Sequence, residues 1–165
     1  MYYKISDFVS DFDLETAATL KVINSLTDKS LDQKVTEKGR SLGKIAWHIT
    51  GAFGEIGSAA LLQVYRADEK PMPVSAKTIA EEYSKSAASL KAIVLKEWND
   101  GSLNDEINMY GETWTKGQAL SALLVHQIHH RGQMTVLMRQ AGLKVPGVYG
   151  PAFEEWESMG MPPQD

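Results

Sequence analysis

Four segments of this chain carry apolar residues three or four positions apart, which is the spacing of an α-helix that buries one face. In the second segment, Ile45, Ile49, Ala52 and Ile56 form such a stripe. A stripe of this kind has to be covered by another element, so four of them predict helices that pack on one another. The predicted helices cover about residues 6–26, 42–65, 75–98 (or 78–98) and 116–141.

Capping residues delimit these predicted helices. Ser6 and Ser41 are predicted N-caps, because a serine hydroxyl can accept from a free N–H of the first turn. Thr78 with Glu81, and Thr115 with Gln118, have the spacing of capping boxes. Gly142 is the predicted residue just past the last helix.

The connections are polar or contain helix breakers. Pro71 and Pro73 interrupt the chain after the second helix, and Asn-Asp-Gly at residues 99–101 follows the third. Residues 103–110 are predicted to form a short extended stretch, but no segment has the pattern of a convincing β-strand. The sequence therefore predicts an all-α fold, a four-helix bundle.

The C-terminal tail, residues 143–165, cannot extend a helix, because it contains four prolines and three further glycines after Gly142. Its aromatic residues Tyr149, Phe153 and Trp156 predict that this irregular tail packs on the bundle. No linker or internal repeat divides the chain. With 165 residues it is long enough for a sizeable core, and a single domain over residues 1–165 is expected.

The composition excludes several functions. The chain has no cysteine, so disulfides, thiolate ligands and a cysteine nucleophile are ruled out, and any reacting thiol has to come from outside. A formal net charge of -4 without a basic run argues against nucleic-acid binding. No apolar stretch approaches about 20 residues, so no membrane span is expected. Without a secretory signal pattern, the expected location is the cytoplasm.

Three of the four histidines have the spacing of metal ligands. His126 and His130 lie one helical turn apart on the inward face of the fourth helix, and His48 lies on the inward face of the second. Three imidazoles on one cation form an open site that leaves a position for water or substrate, and such ligation suits Zn, Ni, Cu or Fe. The alternative is that these histidines are core or interface residues with hydrogen-bonding roles only.

Other polar residues are candidates for orienting this site, although no catalytic group can be named. Gln133 is turned only about 20° from His126 on the helix and can touch the site. Glu15 is either a partly exposed helix-edge residue or an acceptor for an imidazole N–H, and Tyr149 is a third candidate. His129 is predicted not to be a ligand. Arg131 points away and is predicted to form a salt bridge or an interface contact.

Three sequence motifs together are similar to a known family. They are LGKIAWHI at residues 42–49, LLVHQIHHRGQM at residues 123–134 and RQAGLKVPGVYG at residues 139–150. Taken together, over essentially the whole chain, they resemble the DinB-like (DinB/YfiT) family.

This resemblance implies an up-down-down-up four-helix bundle, usually dimeric. It implies a divalent metal, zinc or nickel, held by His48, His126 and His130. Some relatives use a low-molecular-weight thiol such as bacillithiol, mycothiol or glutathione. The resemblance does not identify a substrate, and no organic cofactor is expected.

The hypothesis that follows is a metal-dependent thiol S-transferase. The metal would hold an external thiol as a thiolate, which attacks a small electrophile in stress response or detoxification. Two alternatives stay open at this point. One is a metal-dependent hydrolase, which needs a general base, and the other is a non-catalytic, stress-induced metal-binding or interaction protein. A fourth protein ligand, such as Glu15 or His129, would close the site and favour the second alternative.

Overall fold

The computed structural model describes residues 1–162 as four long helices and one small β-hairpin. Residues 163–165 of the predicted tail, Pro163 among them, lie outside the described part. The helices are α1 (Ile5–Ile23), α2 (Leu42–Ala59), α3 (Ala76–Glu97) and α4 (Lys116–Gln140), and the strands are β1 (Glu106–Met109) and β2 (Glu112–Thr115). Short 3₁₀ turns occupy Asp28–Asp32, Gly101–Asn104, Phe153–Glu155 and Glu157–Met159.

The four helices form the predicted all-α bundle, in up-down-down-up order. Helix α2 packs against α3 and α4, and α1 packs against α4 and α3. Phe8, Phe12, Phe53 and Tyr83 form a continuous aromatic row through the core, with successive ring centroids 5.2–5.8 Å apart. Within residues 1–162, no helix is long and apolar enough to cross a bilayer.

Two of the predicted caps are confirmed. The Ser41 hydroxyl accepts from the Lys44 N–H, and Thr115 and Gln118 form the predicted capping box.

The predicted Ser6 cap and the capping box at Thr78 are wrong. Helix α1 begins at Ile5, after Lys4, which makes no side-chain cap bond. Helix α3 begins at Ala76, in agreement with the earlier of its two predicted starts, and Asp28 Oδ1 accepts the Ala76 N–H at 2.7 Å.

Helix α2 is shorter than predicted and ends at Ala59 instead of near Tyr65. The chain turns away at Leu61, whose φ of 61° is left-handed, and the Leu62 N–H donates to Gly57 O at 2.8 Å. These are the marks of a helix C-terminus. Neither glycine nor proline stands at this turn, so the sequence pattern gave no stop signal.

The segment that follows lies directly on α2. Glycines 51, 54 and 57 face it, and a Cβ on Gly57 would lie 2.5 Å from Val64 Cγ2. Three missing side chains on one face therefore let residues 64–68 approach the helix closely.

Part of the predicted extended stretch at residues 103–110 forms β1, which pairs with β2 in a hairpin that joins Glu106 to Thr115 and Met109 to Glu112. Its turn places Tyr110 at φ 57° and Gly111 at φ 87°. Two consecutive left-handed residues are the requirement of a two-residue hairpin turn.

The tail packs on the bundle as predicted, through Val145, which is buried in the core, and through polar contacts. Lys21 Nζ on α1 donates to Gly147 O at 2.9 Å, and Arg139 on α4 pairs with Glu154. Of the aromatic residues predicted to anchor the tail, Tyr149 and Phe153 are largely exposed.

Candidate metal centre

Three imidazoles converge between α2 and α4. His48 lies on α2, and His126 and His130 lie one turn apart on α4. One ring nitrogen from each histidine lies within 4.8 Å of the others, and the three ring centroids are 4.5–4.8 Å apart. His48 Nε2 and His126 Nε2 are only 3.0 Å apart. The adjacency of the second and fourth helices, which spacing alone left open, brings these rings together.

The three imidazoles are held in their neutral form. His130 is buried, and His48 and His126 are half-buried. Desolvation is the largest cause that lowers the pKa of each. For His126, desolvation together with the smaller effect of charge repulsion from the neighbouring histidines and Arg40 lowers the pKa to about 4 from its ordinary 6.5. At neutral pH, protons therefore compete weakly with a cation for these nitrogens.

Gln133 contacts the site as the sequence suggested. His130 Nδ1 donates to Gln133 Oε1 at 2.7 Å, since an amide oxygen can only accept. The neutral His130 ring thus carries its proton on Nδ1, and Nε2 keeps a free lone pair. Gln133 Nε2 is 3.1 Å from Nε2 of His129, which fixes the amide from its other side.

His126 lacks such a partner. Its Nδ1 is buried and makes no hydrogen bond to the described residues. In the close contact between His48 Nε2 and His126 Nε2, one nitrogen has to donate to the other. Two nitrogens each 2.0–2.1 Å from one tetrahedral zinc lie about 3.3 Å apart, which is close to the observed separation.

The other two candidate orienting residues are placed elsewhere. Glu15 does not accept from an imidazole. Its Oε2 is 2.7 Å from Arg131 Nη2, and both its oxygens lie 2.9 Å from the Tyr149 hydroxyl. Arg131 also donates to Thr19 Oγ1 at 3.1 Å and is almost completely buried. The contacts among Glu15, Arg131 and Tyr149 connect α4 to α1 and to the tail. Arg131 therefore points away from the histidines, as predicted.

No fourth protein ligand closes the cluster within the described residues, where it consists of His48, His126 and His130 alone. Glu15 is paired with Arg131, and His129 contacts Gln133. Two cavities border the cluster instead. One, of about 440 Å³, is lined by His48, and the other, of about 460 Å³, is lined by His130.

Sequence reasoning missed four charged residues at these cavities. Arg40 lines both of them, and Lys44, Glu55 and Asp68 line the cavity beside His48. Arg40 is the last residue before the Ser41 cap of α2, and Glu55 lies two turns beyond His48 on the same helix. The helical spacing between His48 and Glu55 was the available signal for the latter.

The residues present fit a divalent cation. Three neutral imidazole nitrogens converge, one has its tautomer set by Gln133, and the surroundings hold cavities rather than a fourth ligand. Three protein ligands without a fourth are typical of an open catalytic site, whereas a structural site is closed by four protein ligands.

Comparisons with known proteins agree along the whole chain. The family model described as the DinB family matches residues 1–165. The chain is 44% identical over 162 residues to the uncharacterized protein YrdA of Bacillus subtilis (strain 168), covering 98% of this chain and 97% of that protein.

Solved structures of DinB-like proteins have the same fold. One from Bacillus cereus ATCC 10987 superposes with a TM-score of 0.86 at 42% identity, covering 90% of this chain and all of that one. The DinB-like protein YjoA of Bacillus subtilis gives 0.68 at 21% identity, covering 86% and 96% of the two chains. At such low identity the second likeness concerns the fold alone.

Proposed function

Because the chain belongs to the DinB family and gathers three imidazoles beside two cavities, we propose that it binds a divalent metal, zinc or nickel, through His48, His126 and His130. We further propose that it transfers a low-molecular-weight thiol to a small electrophile. The convergence of the three ring nitrogens within 4.8 Å carries this proposal.

The chain's own residues would prepare the site. His130 is oriented by its bond to Gln133, and the buried Ile45 and Leu137 give the adjoining cavity an apolar floor. A bound cation would supply Lewis acidity that lowers the pKa of a thiol or water at its open position. Because the chain has no cysteine, the thiol is external. The thiol would release its proton to solvent, and the resulting thiolate sulfur would form a bond to the electrophilic carbon, whose leaving group departs with the bonding electrons.

A hydrolase with the same site is the second candidate. Hydrolysis requires a base that takes a proton from the attacking water. Glu55 lines the cavity beside His48, and it accepts from the Tyr110 hydroxyl at 3.0 Å. The other carboxylate of this cavity, Asp68, is paired with Arg66 at 2.9 Å. Glu55 is therefore the candidate base, and Glu55→Gln abolishes activity only if the hydrolase proposal is right.

The experiment combines metal analysis with a transfer assay. Metal-loaded protein is mixed with bacillithiol, mycothiol or glutathione and the electrophile monochlorobimane, and formation of the fluorescent adduct is followed. We expect His126→Ala to lose both the metal and the activity. The matched control is Gln140→Ala at the exposed end of the same helix, which lies outside the cluster and keeps both. Equal rates for the metal-loaded protein and His126→Ala with every thiol would refute the transferase.

A homodimeric state, a cytoplasmic location and a role in stress or detoxification belong to the same proposal and rest on the family resemblance. The third possibility, a metal-binding protein without catalysis, predicts that the metal binds but that no thiol or ester substrate is turned over. Metal binding without thiol transfer separates it from the transferase, and metal binding without ester hydrolysis separates it from the hydrolase.

A further inference from the structure

Arg40 differs from every other arginine of this chain. Arg66, Arg131 and Arg139 each hold a carboxylate, on Asp68, Glu15 and Glu154 respectively. Arg40 has no ion-pair or hydrogen-bond partner among residues 1–162, although it stands at the mouth of both cavities that border the histidines. An unpaired guanidinium beside a binding cavity is suited to a carboxylate, with which it makes two parallel hydrogen bonds.

The cavity on the His130 side is otherwise apolar. We call it the Arg40 slot, and it is lined by Val35, Arg40, Ile45, His130, Val136 and Leu137, together with Gly39 and Gln133. Ile45 and Leu137 form its buried floor, while Val35 and Val136 remain 63% and 54% exposed at its rim. Two half-exposed valines facing an apolar floor leave apolar surface that a ligand can cover.

Arg40 is the only charged residue of the slot, and its volume of about 460 Å³ lies within the range of small-molecule sites. The cavity beside His48 differs, because Lys44, Glu55 and Asp68 give it charges of both signs. A preference for anions is therefore expected of the Arg40 slot and not of its neighbour.

We propose that the Arg40 slot binds the electrophilic substrate, a small molecule with an apolar body and a carboxylate, with the carboxylate on Arg40 and the reacting end toward His130. This assignment rests on the proposed function for the reaction itself. The binding preference, in contrast, depends only on the slot and is testable in the metal-free protein.

The test uses two pairs of probes, benzoate with benzamide and phenylacetate with phenylacetamide. Each pair has nearly the same shape and differs in charge. Titrations of metal-free protein are followed by calorimetry and by amide NMR shifts. We expect the acids to bind roughly three- to tenfold more tightly than the amides, as for a charge-assisted bond at an exposed arginine. Equal affinities for acid and amide would overturn the proposal.

Two matched pairs of variants test whether the preference for acids over amides arises in the Arg40 slot. Arg40→Met abolishes it and Arg40→Lys retains part of it, whereas Lys44→Met, which changes only the other cavity, leaves it intact. Val136→Asp places a negative charge in the slot and loses the acids. Val125→Asp, at an exposed position of the same helix but beside another cavity, does not. Thermal melting verifies that each variant is folded. A preference that survives Arg40→Met, or that disappears in Lys44→Met, contradicts the assignment.

The two proposals fail separately. If zinc does not bind but the protein still prefers the acids and this preference depends on Arg40, the proposed function is wrong and the assignment of the Arg40 slot is supported. If zinc binds through the three histidines but acid and amide bind equally, the assignment of the slot is wrong and the metal site is supported.

Discussion

At the scale of single residues, His130 is prepared by its neighbour one turn further along α4. Its Nδ1 donates to Gln133 Oε1 at 2.7 Å, so its Nε2 is free to bind a cation. An acceptor of this kind sets both the tautomer and the direction of a ligand ring. The Nδ1 atom of His126 has no such acceptor in the described structure, so Gln133 is the described residue outside the cluster that orients one of its rings by hydrogen bonding.

Gln133→Ala therefore weakens metal binding without removing a ligand. The expected loss in zinc affinity is roughly 10- to 100-fold, because His130 is then free to rotate and to carry its proton on Nε2. Competition with a chromophoric chelator measures the affinity. The control is Gln140→Ala, at the exposed end of the same helix, which leaves the affinity unchanged. Unchanged affinity in Gln133→Ala shows that the bond has no orienting role.

At the scale of elements, α2 carries His48 on one side and three glycines toward residues 64–68. These glycines let the connection lie on the helix, where Asp68 becomes a wall of the cavity beside His48. A glycine normally weakens a helix by about 1 kcal/mol relative to alanine. In α2, the packing of residues 64–68 against the helix outweighs the loss of helix propensity at its glycines.

Gly57→Ala tests this statement. The added Cβ would lie 2.5 Å from Val64 Cγ2 and 3.0 Å from Val64 Cβ, so the connection has to move. We expect the free energy of unfolding to fall by about 1 kcal/mol or more, despite the better helix propensity of alanine. Gly132→Ala on α4 is the control, since nothing lies within 4 Å of its added Cβ. That variant gains about 0.5–1 kcal/mol. A stabilised Gly57→Ala contradicts the packing argument.

Local patterns could be predicted from the sequence, and contacts between distant segments could not. The spacing of His126 and His130 and the Thr115 cap depend on one helix only, so the sequence was sufficient. The turn at Leu61 was missed because its left-handed backbone is imposed by packing, without glycine or proline. Arg40 was missed because it lies in a loop, where no periodicity indicates which way a side chain points.

At the scale of the whole molecule, ion pairs connect the loops and the tail to the bundle. Glu82 on α3 is buried and accepts from the Tyr65 hydroxyl at 2.5 Å, from Lys85 at 3.1 Å and from Lys70 at 3.2 Å. It thereby holds the connection between α2 and α3 against the bundle. The Tyr65 bond is the largest cause that lowers the pKa of Glu82 from its ordinary 4.5 to about 2, followed by the two lysines.

This lowered pKa predicts how stability depends on pH. A carboxyl whose pKa is lower in the folded than in the unfolded state stabilises the protein fully above the unfolded value. That contribution is lost as the pH falls from about 4.5 to about 2. Chemical unfolding should show wild type more stable than Glu82→Gln at pH 7, with the difference shrinking across this window. Glu81→Gln, at the exposed neighbour paired with Lys77 at 3.9 Å, changes little. A difference independent of pH contradicts the assignment.

The most direct measurement of the central claim is a crystal structure of zinc-loaded protein with anomalous data at the zinc edge. The account predicts one anomalous peak between α2 and α4, with one nitrogen each from His48, His126 and His130 at about 2.0–2.1 Å. A remaining coordination position should face the cavities. A cluster that binds no zinc under saturating conditions, or a zinc closed off by a fourth protein ligand, would contradict it.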